Sequence, residues 1–188
     1  MFKINFIFDK TKKSLNFKKQ VLKTHINYSA QKADCFVVAG GDGFMLQSIK
    51  KNYKYNKPFY GINCGTYGFL MNRYHVKNLN FKIKKSKKII INPIKVQAID
   101  YKKKKLKLIA INEVSLFRQS RQTSSIQVME NNKMIIKKLI GDGILVSTPA
   151  GSTAYNFSVN GPILTLMSGK LAVTPISPFR PRKWKGRV

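Results

Sequence analysis

Two textures divide the chain near residue 88. In the first, short apolar runs alternate with stretches of helical spacing. Lys3–Phe8 alternates with period two and predicts a strand. Lys10–Thr24 has a weak helical period and predicts a helix with Leu15, Val21 and Leu22 facing inward. Asp34–Ala39 is a continuous apolar run, the pattern of a strand covered on both faces of a parallel sheet. Gly40-Gly41-Asp42-Gly43 follows, then Phe44–Lys51 with Met45, Leu46 and Ile49 at helical spacing. Pro58–Asn63 predicts a third strand, and Tyr74–Lys88 a basic, partly helical segment running into a linker.

Beyond residue 88 the pattern becomes short and β-branched. Ile89–Asp100, Leu106–Phe117, Ile126–Glu130 and Met134–Ile140 read as strands between polar turns, with Asn131-Asn132 as a hairpin turn. Ile144–Val146 predicts a short buried strand, Ser152 or Thr153 the cap of a short helix through Ala154–Phe157, and Leu171–Ile176 a further strand. Ser177–Val188 is a basic tail containing prolines and the single Trp184. The division implied is an α/β domain over residues 1–88 and a β-rich domain over 89–188.

Composition narrows the class. With 43% hydrophobic residues in 188, the chain can bury a core. No apolar run reaches the roughly 18 residues of a membrane span. The N-terminus MFKINFIFDK reads as a strand with no signal-peptide pattern. Cys35 and Cys64 lie far apart and form no metal-ligand spacing, which suggests a reducing compartment and predicts the cytoplasm. The formal charge of +29 invites a polyanion, but lysine is scattered through all parts of the chain and no RNA-binding motif with interleaved aromatics is present. Specific nucleic-acid binding and a membrane partner are therefore not expected, whereas attraction of small anions such as nucleotides or polyphosphate is.

The seven acids carry more information than the thirty lysines. Asp42 and Asp142 each sit in a Gly-Asp-Gly triplet, and Glu113 follows Asn112 at the end of an apolar run. Each has a plain structural alternative: Asp42 as a helix cap, Asp142 as a turn former, Glu113 as the partner of a lysine. The turn Gly40–Gly43 lies between a predicted strand and helix, where backbone N–H groups and a helix N-terminus favour phosphate. A second glycine loop, Asn63–Leu70, leaves a neighbouring strand, and ligands of open α/β sheets bind beyond such carboxyl ends. Neither loop fits the P-loop or the G-x-G-x-x-G spacing. The stretch Gly141–Gly161 is the richest in small residues, with Ser147, Thr148, Ser152, Thr153 and Ser158 around Asp142. It reads as a nucleotide seat or, more plainly, as a glycine-rich turn between strands.

Taken together, GGDG at Gly40–Gly43, NCGTYGFL at Asn63–Leu70, NEV at Asn112–Val114, and GDGILVSTPAGSTAY at Gly141–Tyr155 with NGP at Asn160–Pro162 resemble the NAD kinases over nearly the full chain. The resemblance implies a Rossmann-like α/β domain followed by a β-rich, β-sandwich-like domain. It implies transfer of phosphate from ATP or inorganic polyphosphate to the 2′-hydroxyl of the adenosine ribose of NAD, with a divalent metal ion, Mg2+ in most members, accompanying the donor, and a homodimer or homotetramer. By the same resemblance Asp42 is the catalytic base and Gly40, Gly41 and Gly43 make room for the donor phosphates. Asn112 and Glu113 bind the adenosine part of NAD, Asp142 contacts the nicotinamide-ribose side, Thr153, Ala154, Tyr155 and Ser158 line the base pockets, and Phe69 forms a hydrophobic wall. Three departures stand out: Phe44 and Ala150 occupy positions where many members carry a hydroxyl residue, and the family pattern continues past Pro175–Arg180. The reading thus expects a second domain short of C-terminal strands. It leaves two alternatives, a nucleotide-binding remnant without turnover and a diacylglycerol-type lipid kinase, which shares only the GGDG turn.

Overall fold

A computed structural model describes residues 2–188, which divide into two compact units with the boundary between Lys88 and Ile89. The first is α/β and the second is strand-rich, the class read from the sequence.

In the first unit, β1 (Ile4–Phe8), β2 (Cys35–Gly40) and β3 (Phe59–Asn63) form a parallel sheet in the order β1-β2-β3. Every residue of β2 is buried, which explains its unbroken apolar run: it is the central strand, covered on both faces. Helix α1 (Lys12–Val21) connects β1 to β2, and α2 (Asp42–Asn52), followed by a 3₁₀ turn at Tyr53–Tyr55, connects β2 to β3. A third helix, α3 (Leu79–Lys85), anchors itself by Leu79. Ile4, Phe6, Phe17, Val21, Val37 and Ile62 make up the heart of the core. Each fully buried side chain of this size contributes about 1.5–3 kcal/mol.

The face of α1 differs from the expectation. Val21 is buried, but Leu15 and Leu22 are exposed, and Ser14 and Phe17 take the inner positions. Ser14 is fully buried because its hydroxyl donates to the Ala39 carbonyl at 2.8 Å, so a polar residue disguises the inward stripe. In α2, Met45 and Ser48 are buried while Leu46 and Ile49 are only half-buried.

In the second unit, β4 (Ile94–Ile99) and β5 (Lys105–Ala110) form one hairpin, and β7 (Ser124–Glu130) and β8 (Lys133–Gly141) another. The sheet β10-β9-β6 joins β6 (Glu113–Phe117), β9 (Gly143–Ser147) and β10 (Ala172–Ile176), all antiparallel. Asn131 and Asn132 both have positive φ (48° and 64°), as a two-residue type I′ hairpin turn requires. The apolar run Leu106–Phe117 is two strands rather than one, broken at Ile111-Asn112, and Ile89–Asn92 carries no strand. Ile136, Leu139 and Ile144 centre the core of this unit, with Val173 and Trp184 packed against them.

Candidate functional site

The first unit gathers its glycine turns at the carboxyl end of the sheet. Gly40 ends β2, Gly41 is the N-cap of α2, and Asp42 is its first residue. Asp42 does not cap the helix through its side chain. Instead its carboxylate turns to the second glycine loop, where Oδ2 accepts from the Phe69 N–H at 2.7 Å and Oδ1 from the Leu70 N–H at 3.0 Å. The Cys64 N–H, donating to the Gly40 carbonyl at 2.8 Å, pins the start of that loop beside the first turn. Asp42 is therefore an oriented carboxylate, held by two backbone donors and with lone pairs left for a further hydrogen bond. Phe69 is 71% exposed, so its ring stands free next to the Asp42 carboxylate's donors.

The glycines here play different parts. A Cβ on Gly40 would lie 2.7 Å from the Phe44 ring, so that glycine is required by packing. A Cβ on Gly41 or Gly43 would meet nothing within 4 Å, and Gly41 has φ −105°, which any residue adopts. Nothing in the chain's own packing requires glycine at these two positions.

In the second unit, Glu113 opens β6 and Asn112 immediately precedes it. The loop after β9 closes over them: the Thr148 N–H donates to the Asn112 carbonyl at 2.8 Å, and the Thr148 hydroxyl donates to the Ile111 carbonyl at 2.7 Å. The same hydroxyl accepts from the Gly151 N–H at 3.1 Å. Gly151 is packed so tightly on Asn112 that a Cβ would overlap the Asn112 carbonyl. Asn112 Oδ1 and Glu113 Oε2 are both buried and accept no hydrogen bond from the described residues. Burial without a partner pushes the Glu113 carboxyl above its ordinary range. Glu113 forms no ion pair with the described residues, so the lysine-partner reading of it fails.

Thr153 and Ala154 are half-buried, whereas Tyr155 and Ser158, on the short helix α4 (Tyr155–Ser158), are exposed. Neither Ser152 nor Thr153 caps α4; Ala154 is its N-cap, and the Ser152 hydroxyl bonds the Pro149 carbonyl and the Leu164 N–H instead. The structure thus brings Asn112, Glu113 and the 148–151 loop leading to Thr153–Tyr155 to one end of the β6–β9 pair. Asp142 lies at the other end, five residues before Ser147, which faces Glu113 in the register. That is about 16 Å along an extended strand. There it pairs with Arg118, whose Nε lies 2.6 Å from Oδ1. Arg118 escapes a reading of the sequence because only the β6–β9 register sets it opposite Asp142.

Comparison with known proteins agrees for both units. The family model for the ATP-NAD kinase N-terminal domain matches residues 3–85, and that for the ATP-NAD kinase C-terminal domain matches residues 111–183. The NAD kinase of Zymomonas mobilis is 39% identical over 188 residues, covering 99% of this chain and 73% of that protein. The NAD kinase of Brucella suis is 43% identical over 185 residues, 98% of this chain and 72% of that protein. Among solved structures, an NAD kinase from Archaeoglobus fulgidus in complex with ATP superposes with a TM-score of 0.72 at 22% identity, covering 99% of this chain and 76% of that one. A yeast NADH kinase complexed with NADH gives 0.68 at 21% identity, over 87% of this chain and 50% of that one.

Fold and relatives together define a kinase built from an α/β unit and a strand-rich unit. The chain belongs to the NAD kinase family. The diacylglycerol-type lipid kinase reading is set aside, because the match extends through the second unit and not only the GGDG turn.

Proposed function

We propose that the chain transfers the terminal phosphate of ATP, or of inorganic polyphosphate, to the 2′-hydroxyl of the adenosine ribose of NAD. The observation that carries this reading is the pair of buried, unpartnered acceptors at Asn112 and Glu113. Burying a polar atom without a partner costs roughly 1–3 kcal/mol. Such a pair at the mouth of a small-residue loop is suited to donors from a ligand, and sugar hydroxyls and the adenine amino group are donors of that kind. Tyr155 and Ser158, exposed on α4, and Thr153 and Ala154 before them, line the acceptor pocket.

Asp42 acts as the base. A ribose hydroxyl is a weak nucleophile at neutral pH, and an oriented carboxylate within hydrogen-bond reach takes its proton as the phosphoryl group arrives. The space beside Gly41 and Gly43 receives the donor phosphates, with the N-terminus of α2 favouring their charge. Phe69 walls the substrate, and Asp142 reaches the nicotinamide-ribose half of an extended dinucleotide.

A magnesium ion with the donor would neutralise charge on the transferred group. Among the described residues no three His, Cys, Asp or Glu side chains cluster. Such an ion would therefore be held chiefly by phosphate oxygens and water, the usual habit of magnesium at nucleotide sites. The working form is a homodimer or homotetramer in the cytoplasm. No described helix is long and apolar enough to cross a membrane. The test is to incubate the purified chain with NAD, ATP and Mg2+ and assay NADP. Formation of NADP that requires Asp42 is the expected result, and its absence sinks the proposal.

A further inference from the structure

Asn156, one residue beyond Tyr155, is fully buried in a strand-rich unit, with a polar side chain that faces no solvent. Its amide is satisfied on both sides. Nδ2 donates to the Pro162 carbonyl at 2.9 Å and to the Ser152 carbonyl at 3.3 Å. Oδ1 accepts from the Thr174 hydroxyl at 2.7 Å. Two carbonyls on one side and a hydroxyl on the other leave only one orientation of the amide that forms all three bonds. Thr174 is itself buried, in the middle of β10. The backbone joins in: the Gly161 N–H donates to the Asn156 carbonyl at 2.8 Å, and a Cβ on Gly161 would overlap the Asn156 side chain.

One side chain therefore ties four segments together: the end of the small-residue loop at Ser152, the short helix that presents Tyr155, the turn at Gly161-Pro162, and β10. A four-residue helix with no side-chain cap has almost no stability of its own, so its placement comes from tertiary contacts. Asn156 is the only residue of α4 that is buried.

We propose that the Asn156–Thr174 hydrogen bond is a positioning device that fixes α4, and with it Tyr155 and Thr153, at the angle needed to receive NAD. The inference rests on the reading of Tyr155 and its neighbours as the NAD pocket. The Asn156 and Thr174 side chains are both buried away from the surface, so they act through the elements they join. The device is assigned to the acceptor side, because every residue of the network lies in the second unit, whereas the GGDG turn and α2 belong to the first.

The test uses the full chain and two variants at Thr174. Thr174→Val keeps the β-branched shape and deletes the donor, and Thr174→Ser keeps the donor. NAD and ATP affinities are measured separately by calorimetry, with thermal unfolding recorded for each protein. Ile136→Val, a core truncation in the same unit away from the network, serves as the stability control. Loss of one buried hydrogen bond should weaken NAD binding about tenfold in Thr174→Val. ATP affinity should be unchanged, and Thr174→Ser should stay within about threefold of the parent, the residue of lost packing. If Thr174→Val binds NAD as the parent does, or Ile136→Val loses the same affinity at the same loss of Tm, the positioning role is wrong. Should Thr174→Val not fold, Thr174→Ala replaces it under the same criteria. Failure of the unaltered chain to bind NAD at all would instead overturn the functional reading on which the device rests.

Discussion

A carboxylate whose oxygen is buried without a donor is destabilising until something binds it, and Glu113 is in that position. Its folded-state pKa is raised by burial, so folding disfavours the ionised form relative to the unfolded chain. The linkage has a definite sign: the contribution of Glu113 is most favourable below its ordinary carboxylate pKa and is lost as pH rises through the raised value. Glu113→Gln should therefore raise the Tm of the ligand-free protein at pH 7, and the gain should fade as pH falls through the raised pKa and be gone below the ordinary carboxylate value of about 4.5. The same variant should bind NAD about tenfold more weakly, since it removes a charged acceptor. A variant that is less stable at neutral pH, or one that binds NAD normally, would contradict this. Asp42 gives the complementary case. Asp42→Asn keeps one acceptor oxygen for the loop amides, so NAD affinity should change little while turnover falls roughly a hundredfold or more. Near-normal turnover would remove Asp42 from its role.

Glycines separate packing from function at the level of the strand–turn–helix element. Gly151 cannot be replaced, because a Cβ would overlap the Asn112 carbonyl and push the loop off Asn112. Gly43 lies inside α2 with open space around it. Gly43→Ala should leave Tm unchanged or raise it, since alanine favours a helix by up to about 1 kcal/mol. If that space holds phosphate, the same change should raise the KM for ATP severalfold and leave the KM for NAD alone; an unaltered ATP KM would show that the space is not used. At this scale the pattern of residues is informative where structure is local. The unbroken run of β2, the turn at Gly40–Gly43 and the Asn131-Asn132 hairpin all follow from neighbouring residues. The face of α1 was not legible, because its inward stripe runs through Ser14, whose partner Ala39 is 25 residues away. The Asn156–Thr174 bond and the Arg118–Asp142 pair were hidden for the same reason: the first joins a helix to a strand 18 residues on, and the second joins residues set opposite each other only by sheet pairing. The motifs themselves were visible, but nothing in them shows that two acceptors at Asn112 and Glu113 are left buried and unpartnered.

Over the whole molecule, thirty-six cationic side chains face seven acids, and only two ion pairs form among the described residues. The positive surface is largely uncompensated. Both proposed substrates carry phosphate, so the field should speed their capture without specifying them. Raising ionic strength from about 0.01 to 1 M shrinks the screening length from about 30 to 3 Å, and kcat/KM should fall while kcat holds. A salt-independent kcat/KM would show that long-range attraction contributes nothing. The chain spans about three quarters of the length of the Zymomonas mobilis and Brucella suis proteins, and it matches both of the family's domains. The central claim is that these 188 residues place a ribose 2′-hydroxyl before the Asp42 carboxylate and phosphorylate it. The most direct measurement is phosphorus NMR of the product formed from NAD and ATP by the purified chain and by Asp42→Asn. The account predicts a new 2′-phosphomonoester signal with the parent and almost none with the variant. No such signal from the parent, or equal signals from both, would contradict it.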